Sequence, residues 1–281
     1  MDLDTVREVV LARERADLAQ LGADTAVLAG GTFLFSEPHD HLARLVDITA
    51  LGWAPLLERG DGLEIAATCT LAQLAGAGSG RELGTAVLRP GWPGTALFAQ
   101  GCRALLASHK IWRTATVGGN VCLSLPAGAV LGALVALDAA VVIWPRGGGE
   151  RRIPLREFVT GPGENVLAAG AVVRSFLVPS SSLVARTAFR RIALAPVGRS
   201  GAVVMGRRDA DGQCAITVTA ATTRPVVLDF ATVPTPVELR EQLDELEQDL
   251  WFDDPHGTPD WRRHVTGLLA AEVAAELSES R

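Results

Sequence analysis

The sequence lacks the features of several large functional classes, beginning with nucleic-acid-binding proteins. It has 26 basic against 32 acidic residues, so the formal net charge is −6. A nucleic-acid-binding domain normally shows a basic excess or a dense basic stripe, and neither is present. The short basic cluster at residues 146–152 is rich in glycine and is typical of a solvated turn.

Cysteine is scarce and widely spaced. None of the four cysteines forms a C-x-x-C pair: Cys69, Cys102, Cys122 and Cys214. Because zinc and iron–sulfur sites use closely spaced thiolates, we do not expect this chain alone to hold one. No signal peptide is recognisable, so reduced thiols and a cytoplasmic location are expected.

A long uninterrupted apolar run is also missing. The longest apolar stretch, residues 127–144, is broken by Gly128, Gly132 and Asp138. A membrane-spanning helix needs about 20 nearly uninterrupted apolar residues. This stretch therefore indicates buried core.

The pattern of apolar residues predicts several packed units of mixed α and β structure. A length of 281 residues suggests roughly two domains at about 150 residues each. The first 55 residues predict a helix over residues 4–21, ended by Gly22, and strands over residues 25–29 and 44–48. A second unit follows up to residue 179, with strands and helices at 63–67, 70–74, 95–109, 131–136, 139–144, 151–154 and 172–178.

The last third of the chain predicts strands followed by helices. Residues 179–182 form a linker-like break rich in serine. Four strands are expected beyond it, over residues 187–192, 202–207, 214–221 and 225–230. A helix over residues 237–250 and a final helix from Pro259 follow, with Thr258 as the N-cap. The apolar face of the final helix is expected to include Trp261, Val265, Leu268, Leu269 and Leu277.

Two glycine-bearing segments carry the clearest functional signal. Gly30-Gly31-Thr32 follows a predicted strand directly, and Thr116-Val117-Gly118-Gly119-Asn120 presents a second glycine pair beside an asparagine amide. A pyrophosphate carries two negative charges and binds backbone N–H groups that glycine allows to come close. A Gly-Gly pair taken alone is usually an ordinary tight turn. The common alternatives are absent, because neither G-x-G-x-x-G nor G-x-x-x-x-G-K-[ST] occurs.

His39-Asp40-His41 is the remaining candidate for a ligand site. Two histidines at this spacing can bind a metal, but no third or fourth ligand is evident nearby. The segment follows Pro38 and is typical of a surface loop.

The chain as a whole resembles the FAD-binding (medium) subunit of the xanthine dehydrogenase and carbon monoxide dehydrogenase family of molybdenum hydroxylases. Four segments carry the resemblance, in the same order along the chain: residues 27–32 with 45–48, residues 63–74, residues 111–120 continuing into 124–127 and 134–139, and residues 261–264. The resemblance implies an α+β fold. Two α/β subdomains, residues 1–55 and 56–179, form a PCMH-type FAD-binding domain, and residues 183–281 form a C-terminal domain of the CO dehydrogenase flavoprotein type, with an antiparallel sheet plus helices.

The resemblance also implies a role in electron transfer. A large partner subunit with a molybdopterin cofactor oxidises the substrate, and a small partner carries 2Fe–2S clusters. FAD in the present type of subunit receives the electrons and passes them to an external acceptor. The implied assembly is a hetero-oligomer, for example a dimer of heterotrimers, and the implied enzyme is an oxidoreductase with no catalytic or metal-ligating residue in this chain.

Site residues are carried over by position. The implied contacts to FAD comprise two runs and two single residues: Leu28, Ala29, Gly30, Gly31, Thr32 and Phe33; Thr116, Val117, Gly118, Gly119 and Asn120; Val173 against the flavin; and Arg190 where a lysine is frequent.

The sequence departs from the family pattern at two positions. Ala129 stands where an aspartate usually bonds the ribityl hydroxyls, and Phe33 replaces a residue that is usually polar. Loss of one such hydrogen bond costs about 1–3 kcal/mol and lowers FAD affinity by up to about a hundredfold. Two alternatives therefore stay open: a stand-alone flavin oxidoreductase, and a degenerate, flavin-poor structural or interaction subunit.

Overall fold

The computed structural model describes residues 3–79, 88 and 91–279. Its first sheet is small and parallel, with the strand order β1-β3-β2. The three strands are β1 (Glu8–Leu11), β2 (Thr25–Leu28) and β3 (Arg44–Asp47). The central strand β3 pairs with both neighbours, so Glu8 and Thr25 both lie opposite Arg44.

The predicted helix over residues 4–21 is wrong. This segment instead forms β1 and a 3₁₀ helix, Arg15–Gln20. The spacing of its apolar residues fits a helix, but Val9 and Val10 are β-branched and pair with β3, a partner more than 30 residues along the chain. Leu18 and Leu21 are buried beneath the sheet, as their apolar character requires.

The second sheet has five antiparallel strands in the order β4-β5-β10-β6-β7. They are β4 (Leu56–Arg59), β5 (Gly62–Ala66), β6 (Ala140–Trp144), β7 (Arg151–Pro154) and β10 (Val172–Pro179); a hairpin of β8 (Val159–Gly161) and β9 (Glu164–Asn165) lies between β7 and β10 in sequence. Helices α1 (Leu71–Ser79), α2 (Ala96–Ala104), α3 (His109–Thr114), α4 (Val117–Cys122) and α5 (Ala129–Ala136) belong to the same unit.

The third sheet is an antiparallel meander, β11-β12-β13-β14. Its strands are β11 (Arg186–Ala193), β12 (Ser200–Arg208), β13 (Cys214–Thr219) and β14 (Val226–Phe230); its helices are α6 (Ser180–Val184), α7 (Pro236–Asp244) and α8 (Pro259–Ser278). Short 3₁₀ helices also occur at Thr49–Leu51, Pro93–Thr95, Leu155–Glu157 and Gln248–Leu250. The expected α+β class, with mixed helices and antiparallel sheet, is confirmed.

A buried arginine fixes α8 to the third sheet. Arg262 is 1% exposed, and its guanidinium donates to the carbonyl oxygens of Gly201, Ala220 and Gly257 and pairs with Asp254. A buried charge is tolerated when it is paired and hydrogen-bonded, and here each of the three guanidinium nitrogens has a partner.

Helix α5 is buried on all sides, since each of its eight residues lies in the core. It packs between α2 of the second unit and strands β12 and β13 of the third sheet. The closeness of this packing is clearest at Gly132, where an added Cβ would lie 2.6 Å from the Thr219 methyl carbon Cγ2. An apolar helix without a polar face is expected where both faces are covered.

Several predicted element boundaries, and the predicted buried face of α8, are wrong in detail. The helix predicted over 95–109 stops at Ala104, because Leu105 is extended and Ser108 caps a new helix by accepting from the Ile111 N–H. The helix predicted over 237–250 ends at Asp244. The predicted break at 179–182 is the end of β10 followed by α6. Leu268, predicted on the buried face of α8, is 56% exposed.

Candidate functional site

A cleft of about 430 Å³ lies between the loop after β2 and the helices of the second unit. Its volume is within the usual range for a small-molecule or cofactor site. The lining residues come from three stretches of chain: Val27, Ala29–Leu34 and His39; Leu71, Leu105–Ala107, Ile111, Ala115 and Thr116; and Gly119, Asn120, Cys122, Leu123 and Leu125. Apolar side chains form most of this surface.

The segment of residues 30–33, here called the donor loop, lines the cleft and contains hydrogen-bond donors without a partner. Within the described part of the chain, the N–H groups of these four residues and the hydroxyl of Thr32 donate no hydrogen bond. Gly31 has φ +66°, a left-handed conformation that side chains other than glycine rarely adopt. Successive unpaired N–H groups in a turn form a concave site for an anion.

Gly30 brings the donor loop against the second unit. A Cβ at this position would lie 2.0 Å from the carbonyl oxygen of Thr114 and 3.0 Å from the Cα of Ala115. Only glycine allows the two backbones to come this close. The contact therefore sets the distance between the donor loop and the start of α4.

The second glycine segment is the beginning of helix α4 and not the loop that the sequence predicts. Its first four N–H groups already have partners inside the chain. Val117 donates to the Cys69 carbonyl at 2.8 Å, and Gly118 donates to the Ala67 carbonyl at 2.8 Å. Gly119 donates to the Thr116 hydroxyl at 3.1 Å, and Asn120 donates to the Thr116 carbonyl at 2.9 Å. The expectation that this segment offers the same anion-binding donors as the first is therefore wrong.

The two glycines of α4 have different roles. A Cβ on Gly118 would lie 2.6 Å from the Ala67 Cβ and 2.8 Å from the Ala67 carbonyl oxygen, so this glycine lets α4 pack against the end of β5. A Cβ on Gly119 would meet only the Thr116 hydroxyl oxygen, at 3.1 Å. Gly118 is thus a packing residue, and Gly119 lies at the surface of the cleft.

Two buried polar atoms of the cleft residues have no partner. They are the Asn120 side-chain oxygen Oδ1 and the His39 ring nitrogen Nε2. A buried polar atom without a partner costs free energy, and binding sites are a common place for it, because a ligand supplies the missing bond. His39 is therefore part of the cleft wall and not only of the surface loop that the sequence suggests.

The structure brings most of the predicted site residues to this cleft, but not all. Ala29 to Phe33, Thr116, Gly119 and Asn120 line it, whereas Leu28, Val117 and Gly118 are not among the lining residues. Sequence reasoning missed the apolar residues that line the cleft after α2, Leu105, Leu106 and Ile111 among them. Their only signal is a short apolar stretch between two predicted helices.

Val173 and Arg190 are not brought to the cleft. Val173 is buried on β10 opposite Ile143 and packs in the core of the second unit. Arg190 lies on β11 and binds Glu276 at 2.7 Å and Glu272 at 2.9 Å, both on α8. Its hydrogen bond to Glu276 raises the pKa of Arg190 further. The positive charge of this arginine is therefore already neutralised by two carboxylates.

Ala129, the main departure from the family pattern, is the first residue of α5 and is 0% exposed. An added Cβ on Gly101 of α2 would lie 2.9 Å from its carbonyl oxygen, so the backbone here is in close contact with α2. Ala129 is not among the residues that line the cleft.

The thiol of Cys122 lines the cleft but is not ionised at neutral pH. Burial raises its pKa to about 12. Only the thiolate is a good nucleophile or metal ligand. Among the residues that the structure describes, no group of three or more His, Cys, Asp or Glu side chains is placed to hold a metal ion.

Fold and cleft together define a protein with a built site for an anionic ligand that also has an apolar part. A family model described as "FAD binding domain in molybdopterin dehydrogenase" matches residues 5–181. The match covers more than half of the chain, which therefore belongs to this family of FAD-binding domains. The residues present fit FAD, because the donor loop suits a pyrophosphate and the apolar walls suit flavin or adenine rings. No curated protein matches the sequence.

Solved structures of low sequence identity share the fold over almost the full length. The CO dehydrogenase of Oligotropha carboxidovorans matches with a TM-score of 0.79 at 18% identity, covering 98% of both chains. The CO dehydrogenase of Hydrogenophaga pseudoflava gives 0.76 at 18%, covering 96% of both chains. Quinoline 2-oxidoreductase of Pseudomonas putida 86 gives 0.77 at 14%, covering 99% of this chain and 100% of that one. These chains extend the similarity beyond residue 181 into the third sheet.

Across the described ranges, no helix combines the length and apolar character that crossing a membrane requires.

Proposed function

We propose that this chain is the FAD-binding electron-transfer subunit of a molybdenum hydroxylase complex. It takes electrons from the 2Fe–2S clusters of a partner and passes them to an external acceptor. The observation that carries the proposal is the donor loop, which lines an apolar cleft inside the FAD-binding domain and has N–H groups without a partner in the described chain.

The chain's own residues divide the binding of FAD between them. The N–H groups of residues 30–33 and the Thr32 hydroxyl hold the pyrophosphate, since they are donors without partners. The Asn120 oxygen Oδ1 is an acceptor and suits a ribityl hydroxyl better than a phosphate oxygen. Leu105, Leu106 and Ile111 provide apolar surface for a ring system. When bound, FAD would be the electron carrier, and the protein would set its reduction potential and its exposure to other reactants.

This assignment replaces the ribityl contact that the family pattern puts at position 129. Ala129 is buried against α2, whereas Asn120 lines the cleft and its buried Oδ1 has no partner among the described residues. The weakened grip on FAD expected from Ala129 is therefore offset by Asn120. This supports a flavin-retaining subunit over a flavin-poor structural one.

The proposed partners are a molybdopterin-binding large subunit and a small subunit with 2Fe–2S clusters, in a cytoplasmic hetero-oligomer. The similar chains support this, because they come from enzymes described as a Cu,Mo-CO dehydrogenase and as a CO dehydrogenase that lacks the Mo-pyranopterin moiety of its molybdenum cofactor. The family model likewise describes the FAD-binding domain of a molybdopterin dehydrogenase.

The decisive experiment is purification of the natively expressed protein with whatever subunits accompany it. We expect the two visible absorption bands of oxidised flavin, one FAD per chain, and two copurifying subunits, one with molybdopterin and one with iron and acid-labile sulfide. Rapid freeze-quench spectra after substrate addition should show cluster reduction followed by flavin reduction. A complex without flavin contradicts the proposal and favours a structural subunit. Substrate oxidation by the isolated chain favours a stand-alone oxidoreductase.

A further inference from the structure

We infer that His39 is a cofactor-binding residue that donates a hydrogen bond from Nε2 to the pyrophosphate of FAD. The inference rests on the proposed function. It assigns to His39 a contact with the cofactor, as position alone suggests for Arg190.

The first support is the charge balance of the cleft. A pyrophosphate brings two negative charges, and buried charge is costly without a partner of opposite sign. Among the described residues that line the cleft, His39 is the only one whose side chain can carry a positive charge. Arg190 is bound to Glu272 and Glu276 and lies outside the lining set.

The second support is the unsatisfied ring nitrogen of His39. Nε2 of His39 is buried and has no hydrogen-bond partner in the chain. His39 borders the same cleft as the donor loop, whose N–H groups are also unpartnered. Imidazole donates from Nε2 in one neutral tautomer and from both nitrogens when protonated, so the atom suits a phosphate oxygen.

The third support is the position of His39 along the chain. The first four N–H groups of α4 are bonded to Cys69, Ala67 and Thr116 and are not available to an anion. His39 lies six residues beyond the end of the donor loop and adds a side-chain donor from the same connection between β2 and β3.

His41 provides a matched control. Its ring lies edge to face with that of His39, with centroids 6.1 Å apart, so the two imidazoles share a loop and a neighbourhood. His41 is exposed and does not line the cleft. A general effect of loop structure would act through both residues, whereas a cofactor contact acts through His39 alone.

The test compares FAD dissociation constants of the full-length wild-type chain with those of His39→Ala, His39→Gln and His41→Ala, measured by flavin fluorescence. We expect about a 10- to 100-fold weaker affinity for His39→Ala, since a charge-assisted hydrogen bond is lost. His39→Gln keeps a donor and should be intermediate, and His41→Ala should stay within about twofold. The melting temperature of each apo form checks that the fold is retained.

A second measurement uses the ³¹P resonances of bound FAD, which report on the hydrogen bonds that the pyrophosphate accepts. They should move in His39→Gln and stay in place in the control His41→Ala. Equal FAD affinity in His39→Ala and wild type, equal losses in the His39 and His41 variants, or unmoved ³¹P resonances each overturn the inference. A wild-type chain that binds no FAD overturns the proposed function as well, and this is seen before any variant is compared.

Discussion

The two glycine segments, residues 30–33 and 116–120, look alike in sequence but have different structural roles. Both place a glycine pair beside a residue with a polar side chain, and both border the same cleft. In the donor loop, the N–H groups are free, and Gly30 allows close contact with Thr114. In α4, the N–H groups are bonded within the chain, and Gly118 allows close contact with Ala67.

This difference shows that a glycine pair indicates a place where another group comes close to the backbone. The pair alone does not show whether that group belongs to the protein or to a ligand. At Gly118 the partner is the protein itself, namely the end of β5. At the donor loop the N–H groups are left for a ligand. Anion binding needs free donors in addition to space, so only the first segment is expected to contribute directly to phosphate binding.

The largest expected effect is that of Gly30→Ala on FAD binding. Its methyl group would lie 2.0 Å from the Thr114 carbonyl oxygen, so the donor loop must move away from the end of α3. We expect FAD affinity to fall by more than about a hundredfold, or about 2.7 kcal/mol, in a fluorescence titration. Gly147→Ala is the control, because nothing lies within 4 Å of its added Cβ. Unchanged FAD affinity in Gly30→Ala would mean that the donor loop does not bind the cofactor, so the two glycine segments would not differ in this respect.

Gly118→Ala should act on stability first. The new methyl group meets the Ala67 backbone, and either α4 or the end of β5 has to shift. Overpacking of this kind costs about 1–3 kcal/mol, to be measured as the free energy of urea unfolding of the apo chain. If stability is unchanged while FAD binding is lost, α4 is a ligand-binding segment after all.

Thr32→Val removes one free hydroxyl from the donor loop and keeps the shape of the side chain. We expect FAD affinity to fall about fivefold, which corresponds to about 1 kcal/mol for one hydrogen bond. Because the hydroxyl has no partner within the described chain, the unfolding free energy of the apo protein should not change. A loss of apo stability would mean that Thr32 supports the fold and not the cofactor.

Gly119→Ala should have the smallest effect. Its Cβ would meet only the Thr116 hydroxyl at 3.1 Å, and alanine is a better helix former than glycine. We expect FAD affinity within about twofold of wild type and stability within about 0.5 kcal/mol, measured as for the other variants. A large loss of affinity here would show that FAD lies directly against α4, and the difference between the two segments would then be one of degree.

Local patterns in the sequence predict much of the fold. The four strands of the third sheet and the start of α8 at Pro259 follow from nearby residues. The first helix was predicted wrongly because pairing of β1 with β3 depends on residues far along the chain. Helical spacing over residues 4–21 carries no information about that pairing.

The candidate site divides in the same way. Its glycines are visible in sequence, because their chemistry is local. Which of their N–H groups are free depends on the carbonyls of Ala67 and Cys69, about 50 residues before α4. Likewise, the sequence shows that Arg190 is charged. Its ion pairs with Glu272 and Glu276 are not visible in the sequence, because they depend on how α8 lies across β11.

The packing of helix α5 determines where the chain can be truncated. The family match ends at residue 181, yet one face of this helix packs against the third sheet, with Gly132 against Thr219 and the Ala136 carbonyl bonded to Arg207. A fragment truncated there would expose an apolar helix to water and invite aggregation. The FAD-binding portion is a unit of sequence similarity, but its solubility depends on the residues that follow it.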